Sequence, residues 1–286
     1  MAKSLKINSG FIQEIDNFMP IIKTLPLLAT KNPLVIFDVD SVLIMPDQDN
    51  DFRHPYRMQL WQALKSRLSS QEIEILHSKI MSAIKWQLIE LDIMKVFAYL
   101  KAQNIPTIAL TAMATGKFGI IKKMEDFRID GLNSVGLSFL PLTPLKGQII
   151  AAELNNANIA IISEIHKGIP MLKDGIILTA GMDKGKVLEY MLHKYNYHPK
   201  TIMFIDNNLK NLESLKQLCL KLNIDFCGFH YVITSFMPLP NINEDLEELR
   251  FKILEQEGSW LSYQQLKNRQ VLKYSCNFPE IDNIYK

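Results

Sequence analysis

The chain has 286 residues, of which 48% are hydrophobic and 22% are charged, and its formal net charge is +2. This length and composition predict a folded protein with one substantial core and a smaller module. The near balance of 32 basic and 30 acidic side chains argues against a nucleic-acid binder, which usually has a strong basic excess. No segment approaches the roughly 18 uncharged apolar residues of a membrane span, and no secretory signal is evident. We therefore expect a soluble, cytoplasmic protein.

The chain contains three cysteines, Cys219, Cys227 and Cys276. Their number is odd and their spacing fits no metal motif, so we expect free thiols in a reducing compartment.

The first half of the chain alternates helical and strand patterns. Apolar spacing predicts a helix over 11–28 with an interruption at Pro20, and the apolar run 34–38 predicts a buried parallel strand. Residues 55–102 have the periodicity of helices, with a helix start near Ser69. A second strand is expected at 107–111.

The second half begins with a mixed region, 113–180, and then becomes regular again. The mixed region is expected to hold a helix near 116–127, a strand at 159–162 and a hairpin at Asp174-Gly175. The regular part is expected to comprise a helix from 184, a strand at 201–205, a helix at 209–222, a strand within 225–232, a helix near 243–257 and a helix start near 262. Alternating strands and helices favour an α/β fold with a doubly wound, mainly parallel sheet, whose ligands lie at the carboxyl ends of the strands.

Asp38 and Asp40 directly follow the first predicted buried strand. Two carboxylates at this spacing on an extended chain point the same way and repel each other, so a cation such as Mg²⁺ is expected beside them. One carboxylate can then attack phosphorus while the other transfers a proton. Two solvated carboxylates in a turn are the alternative.

Three later segments carry polar residues at strand ends or helix starts. Thr111 ends a strand, and a hydroxyl is a suitable neutral donor to a phosphate, although a helix cap is the alternative. Lys184 opens a helix. It is preferred to Lys186 as the candidate site lysine, because Lys186 lies inside the apolar-striped helix, where a solvated side chain is expected. Asp206 ends the strand TIMFI.

The ordered segments FDVDSVL, IALTA, DKGKVL and IMFIDNN resemble the four motifs of the haloacid dehalogenase (HAD) superfamily. These four segments followed by EGSWLSYQQL resemble, in their order, a HAD-like family of intracellular bacteria. This closer resemblance implies no particular substrate. It implies a Rossmann-like HAD core with helical or mixed cap inserts.

By this resemblance, Asp38 is the nucleophile that forms an aspartyl-phosphate, and Asp40 is the general acid and base. Lys184 shields the attacking carboxylate from the charge of the phosphate. Thr111 binds the phosphate with a neighbouring backbone N–H, which assigns a substrate contact to Ala112.

The resemblance also implies a Mg²⁺ site. Its side-chain ligands are Asp38, Asp40, Asp206 and Asn207, and the backbone carbonyl of Val39 is a further ligand. Asn207 departs from the Asp-Asp pattern of the family, which removes one negative charge and predicts weaker metal affinity. Asn208 and Asn211 are expected to cap the following helix.

Substrate choice is expected to come from the inserts and from residues beside the first motif. Ser41 is a candidate substrate contact. Arg53 and His54 could clamp a phosphate or carboxylate, with a solvated loop as the alternative.

The motifs divide the chain into predicted domains. The HAD core is expected to comprise 1–44, 103–115 and 181–240. Residues 45–102 are expected to form a helical cap insert and 113–180 a second, mixed insert. The tail 241–286 is expected to be helical and to pack on the core.

The sequence thus predicts a Mg²⁺-dependent phosphatase acting on a small phosphorylated metabolite. One alternative is a catalytically weakened HAD scaffold that binds a partner, which could be secreted as an effector without a classical signal peptide. A phosphotransferase using the same Asp38 is a weaker alternative. Neither nucleic acid nor a membrane span is expected, and the sequence does not define the oligomeric state.

Overall fold

The computed structural model describes residues 10–28, 31–156 and 168–275. The strands are β1 (Phe11–Ile15), β2 (Pro33–Phe37), β3 (Ile44–Pro46), β4 (Trp86–Leu88), β5 (Thr107–Thr111), β6 (Gln148–Ile150), β7 (Met171–Lys173), β8 (Ile176–Leu178), β9 (Thr201–Asp206) and β10 (Asp225–Tyr231). The α-helices are α1 (Met19–Leu28), α2 (Pro55–Lys65), α3 (Ser70–Ser82), α4 (Asp92–Ala102), α5 (Met124–Ser134), α6 (Lys184–Lys194), α7 (Leu209–Leu222), α8 (Ile233–Phe236), α9 (Glu244–Glu257) and α10 (Tyr263–Ser275). The strand expected at 159–162 and Cys276 lie outside the described residues.

The chain divides into two compact units. The sheet unit comprises Met1–Met45 and Lys85–Pro238, and the helical unit comprises Pro46–Ile84 and Leu239–Lys286. This division differs from the predicted domains in two ways. Helix α4, placed by the sequence in the insert 45–102, belongs to the sheet unit, and the tail is grouped with the insert rather than with the core.

Eight strands form the main sheet, in the order β1-β10-β9-β2-β5-β8-β7-β6. Along this order, all neighbouring strands from β1 across to β8 pair in parallel. Strand β7 runs antiparallel to both of its neighbours, β8 and β6. A separate two-stranded sheet joins β3 and β4. The predicted α/β fold with a mainly parallel sheet is therefore confirmed.

The central strand β2 shows why helices cover both faces of the sheet. All of its residues are buried, and successive side chains point to opposite faces. Val35 and Phe37 join the core that contains the apolar sides of α1 and α4. Leu34 and Ile36 join the core that contains the apolar sides of α6 and α7. A strand buried on both faces reads as a continuous apolar run, as the sequence 34–37 does.

The helix predicted over 11–28 is wrong at its beginning. Residues 11–15 form β1, which pairs in parallel with β10, and the Phe11 ring packs edge-on against that of Phe229. Helix α1 starts only at Met19, whose amide donates to the Asn17 side chain at 2.9 Å. Pro20 lies in the first helical turn, where a missing backbone N–H costs little.

Two other boundaries differ from the predicted ones. Strand β4 interrupts the helical stretch predicted over 55–102. The helix predicted near 116–127 begins only at Met124, because Gly116 and Gly119 have positive φ and a bridge joins Phe118 to Ile121. The predicted Asp-Gly hairpin is confirmed between β7 and β8, with both turn residues at positive φ.

The helical unit is held together by a buried ion pair as well as by apolar contacts. Arg57 on α2 contacts Glu247 on α9 at 2.6 Å, and both side chains are fully buried. Trp260 donates to Asn50 at 2.8 Å. A capping box at Ser69 starts α3, as its sequence indicates. Among the described residues, no helix has both the length and the apolar character needed to cross a membrane.

Candidate active site

The polar residues singled out by the motifs follow three neighbouring strands of the sheet unit. Asp38 follows β2, Thr111 ends β5 and Asp206 ends β9, and β2 lies between the other two strands. These strands are parallel, so their carboxyl ends share one edge of the sheet. Lys184 opens α6, which follows β8.

The Lys184 ammonium joins two of these carboxylates. Its Nζ lies 2.8 Å from an Asp38 oxygen and 2.7 Å from an Asp206 oxygen. Its side chain is only 2% exposed, whereas Lys186, the alternative considered from the sequence, is exposed. Asp183 caps α6 by accepting from the Lys186 amide, which fixes the start of the helix beside the carboxylates.

Asp206 is fully buried and is held by several donors. The backbone N–H of Asn208 donates to Oδ1 at 2.7 Å, and the side chain of Asn211 donates to both carboxylate oxygens at 3.1 Å. Asn208 caps α7 through its side chain, as predicted. Asn211, expected to be a cap, lies in the first turn of α7 and donates to Asp206 instead.

Asp40 has a partner that no motif indicated. Arg128 on α5 contacts both Asp40 oxygens through Nη2, at 2.7 and 2.9 Å. The Thr111 hydroxyl lies 3.4 Å from Asp40 and also accepts from the Met113 amide at 3.2 Å. Arg128 lies in FRIDG, a stretch with no motif of its own, so its role depends on where α5 packs.

The carboxyl group of Asp38 has a raised pKa. Burial raises the pKa of Asp38 to about 7; Lys184 opposes this shift, while the negative charges of Asp206 and Asp40 add to it. Burial disfavours the charge on Lys184, but the two carboxylates outweigh burial and raise its pKa. The site thus brings the carboxyl groups of Asp38, Asp40 and Asp206 together with the cationic groups of Lys184 and Arg128.

Comparison with known proteins places the chain in a family. A family model described as "Protein of unknown function (DUF2608)" matches residues 12–267. The chain belongs to the DUF2608 family. No curated protein matches this DUF2608 chain. A solved hydrolase of the haloacid dehalogenase-like family, from Streptococcus pneumoniae, is similar over 72% of this chain and 98% of that one, with 12% identity and a TM-score of 0.37.

The donors in this DUF2608 protein suit a hard divalent cation. Mg²⁺ is usually bound through one or two carboxylates together with water and substrate phosphate, and Asp38 and Asp206 share one ammonium. A bound cation would also oppose the rise in the Asp38 pKa, which comes first from burial and further from the negative charges of Asp206 and Asp40. Within the described residues, however, no three His, Cys, Asp or Glu side chains form a group able to hold a metal ion. Mg²⁺ binding by Asp38, Asp206 and Asp40 therefore stays a prediction.

Two further predicted ligands, the Val39 carbonyl and Asn207, lie in the loops that follow β2 and β9. The Val39 carbonyl accepts from the Val42, Leu43 and Ile44 amides in the turn after β2, and its use as a metal ligand stays a prediction. The backbone carbonyl of Asn207 lies 3.2 Å from the Nε2 atom of His230. The amide side chain that reaches Asp206 belongs to Asn211 instead.

Two predicted substrate contacts lie near the motif strands in this DUF2608 protein. Ser41 has a positive φ in the turn after β2, and its amide donates to Ile44. Ala112 follows β5, and its carbonyl accepts from the Gly181 amide at 3.0 Å.

The other two predicted substrate contacts lie in the helical unit. Arg53 pairs with Asp51 at 2.7 Å, and His54 caps α2 by accepting from the Tyr56 amide at 3.2 Å. The substrate roles of Ser41, Ala112, Arg53 and His54 stay predictions.

Proposed function

We propose that this protein is a Mg²⁺-dependent phosphomonoester hydrolase in which Asp38 attacks the phosphorus of a small phosphorylated substrate. The observation that supports this most is the buried Lys184 ammonium between Asp38 and Asp206 at the ends of adjacent strands. A cation in this position reduces the repulsion between an attacking carboxylate and a phosphate dianion.

The proposed reaction has two steps. In the first, an Asp38 oxygen bonds to phosphorus, the bond from phosphorus to the leaving oxygen breaks, and Asp40 gives a proton to that oxygen. In the second, a water oxygen bonds to phosphorus, Asp40 takes the proton of the water, and the bond from phosphorus to Asp38 breaks. Free phosphate leaves, and both carboxyl groups return to their starting states.

The other residues of the site bind and orient. Thr111 offers its hydroxyl to a phosphate oxygen, and Asn211 keeps the Asp206 carboxylate in a fixed orientation. Mg²⁺ held by Asp38 and Asp206 would supply positive charge for the phosphate oxygens. Lys184 also favours the ionised, nucleophilic form of Asp38 against the effect of burial.

Phosphate release from an aryl phosphate, with and without Mg²⁺, tests the proposal. Wild type should release phosphate only with the metal, and Asp38→Asn should reduce turnover to background. Asp225→Asn is the matched control, because Asp225 is exposed at the opposite, amino end of β10. Turnover by Asp38→Asn at the wild-type rate would contradict the proposal.

A catalytically weakened scaffold that binds a partner is the second candidate. The feature that favours it is Asn207, which stands where the resemblance expects a second acid and so removes one negative charge from the candidate metal site. The two candidates differ in their response to Mg²⁺. A hydrolase binds the metal and turns over aryl phosphate, whereas a scaffold of this kind shows no turnover at any Mg²⁺ concentration.

A further inference from the structure

The Arg128–Asp40 pair is unequal in exposure. The Arg128 side chain is 3% exposed, whereas that of Asp40 is 48% exposed. The carboxylate thus keeps access to solvent, and its cationic partner is fixed inside the sheet unit. An arrangement of this kind can orient Asp40 without covering it.

Two side chains fix the guanidinium of Arg128. Its carbon lies 4.9 Å from the centroid of the Trp86 ring, and its Nε lies 3.1 Å from the Met113 sulfur. Trp86 can approach α5 because residue 131 is glycine, where a Cβ would lie 2.8 Å from the Trp86 ring nitrogen. Arginine at 128 is therefore held by Trp86 on β4 and by Met113 in the loop after β5.

The pair is poorly explained by stability alone. Arg128 Nη1 is buried and has no hydrogen-bond partner among the described residues. A buried N–H without a partner opposes folding, and a buried ion pair is often no better for stability than apolar residues of similar size. A role in the site accounts for the arginine better than a role in folding does.

Asp40 is also linked to the predicted phosphate-binding residue. The Thr111 hydroxyl lies 3.4 Å from the Asp40 oxygen that also contacts Arg128. The same hydroxyl accepts from the backbone of Met113, the residue whose sulfur contacts Arg128. Arg128, Asp40 and Thr111 therefore form one connected group.

We propose that Arg128 is a positioning residue that orients Asp40 for proton transfer, and that the Trp86 ring holds Arg128 in place for this task. This inference rests on the proposed function. Arg128 itself donates no proton and makes no bond to phosphorus. It restricts the Asp40 carboxylate to one orientation beside Thr111, and orientation of this kind contributes to the rate of the chemical step rather than to substrate binding.

The test is a double-mutant cycle measured with Mg²⁺ and an aryl phosphate. Arg128→Lys keeps the charge but loses the planar guanidinium, and Arg128→Met keeps an apolar chain that can lie on Trp86. Each is combined with Asp40→Asn, and kcat and KM are measured separately. Lys122→Met is the matched control, because it removes a positive charge from an exposed residue just before α5.

The expected result is a loss in kcat of about tenfold or more for both Arg128 variants, with KM unchanged, since correctly placed acid-base groups contribute about 10²–10⁴-fold. In the Asp40→Asn background the same substitutions should cause no further loss, because Arg128 acts through Asp40. Lys122→Met should keep wild-type values. Arg128→Lys guards against misfolding, since it leaves the buried charge in place.

Three results would overturn the inference. They are Arg128 variants as active as wild type, losses confined to KM, and losses of equal size in the Asp40→Asn background. A wild type that releases no phosphate would contradict the proposed function itself, and this inference with it. An active wild type with additive losses would contradict the inference alone.

Discussion

Lys184 is the residue on which the charge balance of the site depends. It is buried between Asp38 and Asp206, and among the described residues these two carboxylates form no ion pair with any other side chain. Lys184→Met should lower kcat by about 10²–10³-fold, because a preorganised charge beside the reacting group is lost. Phosphate release measures this effect, and Lys186→Met on the exposed side of the same helix is the control. Full activity of the Lys184 variant would show that the ammonium has no role in the reaction.

Asn208 and Asn211 lie one turn apart and should have separable effects. Asn211→Ala removes the donor that contacts both Asp206 oxygens, and the affinity for Mg²⁺ should fall by about 10- to 100-fold, as when other supporting contacts to a metal ligand are lost.

Asn208→Ala removes the cap of α7 and should cost about 1 kcal/mol of stability with little change in metal affinity. Calorimetric Mg²⁺ titration and thermal unfolding of both variants measure the two effects. If Asn208→Ala lowered the affinity for Mg²⁺ and Asn211→Ala lowered only the stability, the assigned roles would be wrong.

The sequence indicates those site residues that stand at the end of a recognisable strand or the start of a helix. Asp38, Thr111, Lys184 and Asp206 could be found because apolar runs mark the strands and parallel strands end at one edge. Arg128 and Asn211 could not, since each reaches the site from a helix face whose position depends on packing of residues distant in the chain.

At the scale of the elements, the packing of α5 depends on the close approach of the Trp86 ring to Gly131. A Cβ at Gly131 would lie 2.8 Å from the Trp86 ring nitrogen, so Gly131→Ala should displace the ring. Although alanine favours a helix, the clash should cost about 1–3 kcal/mol of stability. Tryptophan fluorescence and chemical unfolding measure the change, with exposed Asp130→Ala as the control. A more stable Gly131→Ala protein with unchanged fluorescence would show that Trp86 does not pack as described.

Most elements follow from local patterns, and the exceptions have physical causes. Helices α6, α7 and α9 carry apolar faces and side-chain caps, and their sequences predict them. Residues 11–15 have helical spacing of apolar residues but form a strand. Their pairing with β10 joins residues more than 200 positions apart, and no local pattern records such a contact.

At the scale of the whole molecule, the helical unit combines two segments that are distant in sequence. Its buried Arg57–Glu247 pair joins α2 to α9. Arg57→Met should therefore destabilise the unit by about 3–5 kcal/mol, because it leaves a buried carboxylate without its partner.

The matched control for this pair is Arg67→Met. Arg67 contacts Glu255 from an exposed position and should give no measurable change. Chemical unfolding monitored by circular dichroism compares the two variants. If both variants lost the same free energy of unfolding, the buried pair would not be the link between the two segments.

The grouping of the tail with residues 46–84 could not be predicted from the sequence. The acidic helix near 243–257 looks like a solvated surface helix, and nothing in its local pattern shows that Glu247 and Arg250 are buried. The α/β class, in contrast, follows from the alternation of apolar strands and amphipathic helices along the whole chain.

Hydrolysis through Asp38 requires covalent attachment of phosphate to that residue, and acid quenching during turnover tests this most directly. Wild type mixed with Mg²⁺ and an aryl phosphate, quenched in acid and digested, should yield a phosphorylated peptide that contains Asp38. Mass spectrometry should find no such peptide from Asp38→Asn. Turnover by wild type with phosphate on a different residue, or with no phosphorylated peptide under conditions in which the intermediate accumulates, would contradict the account.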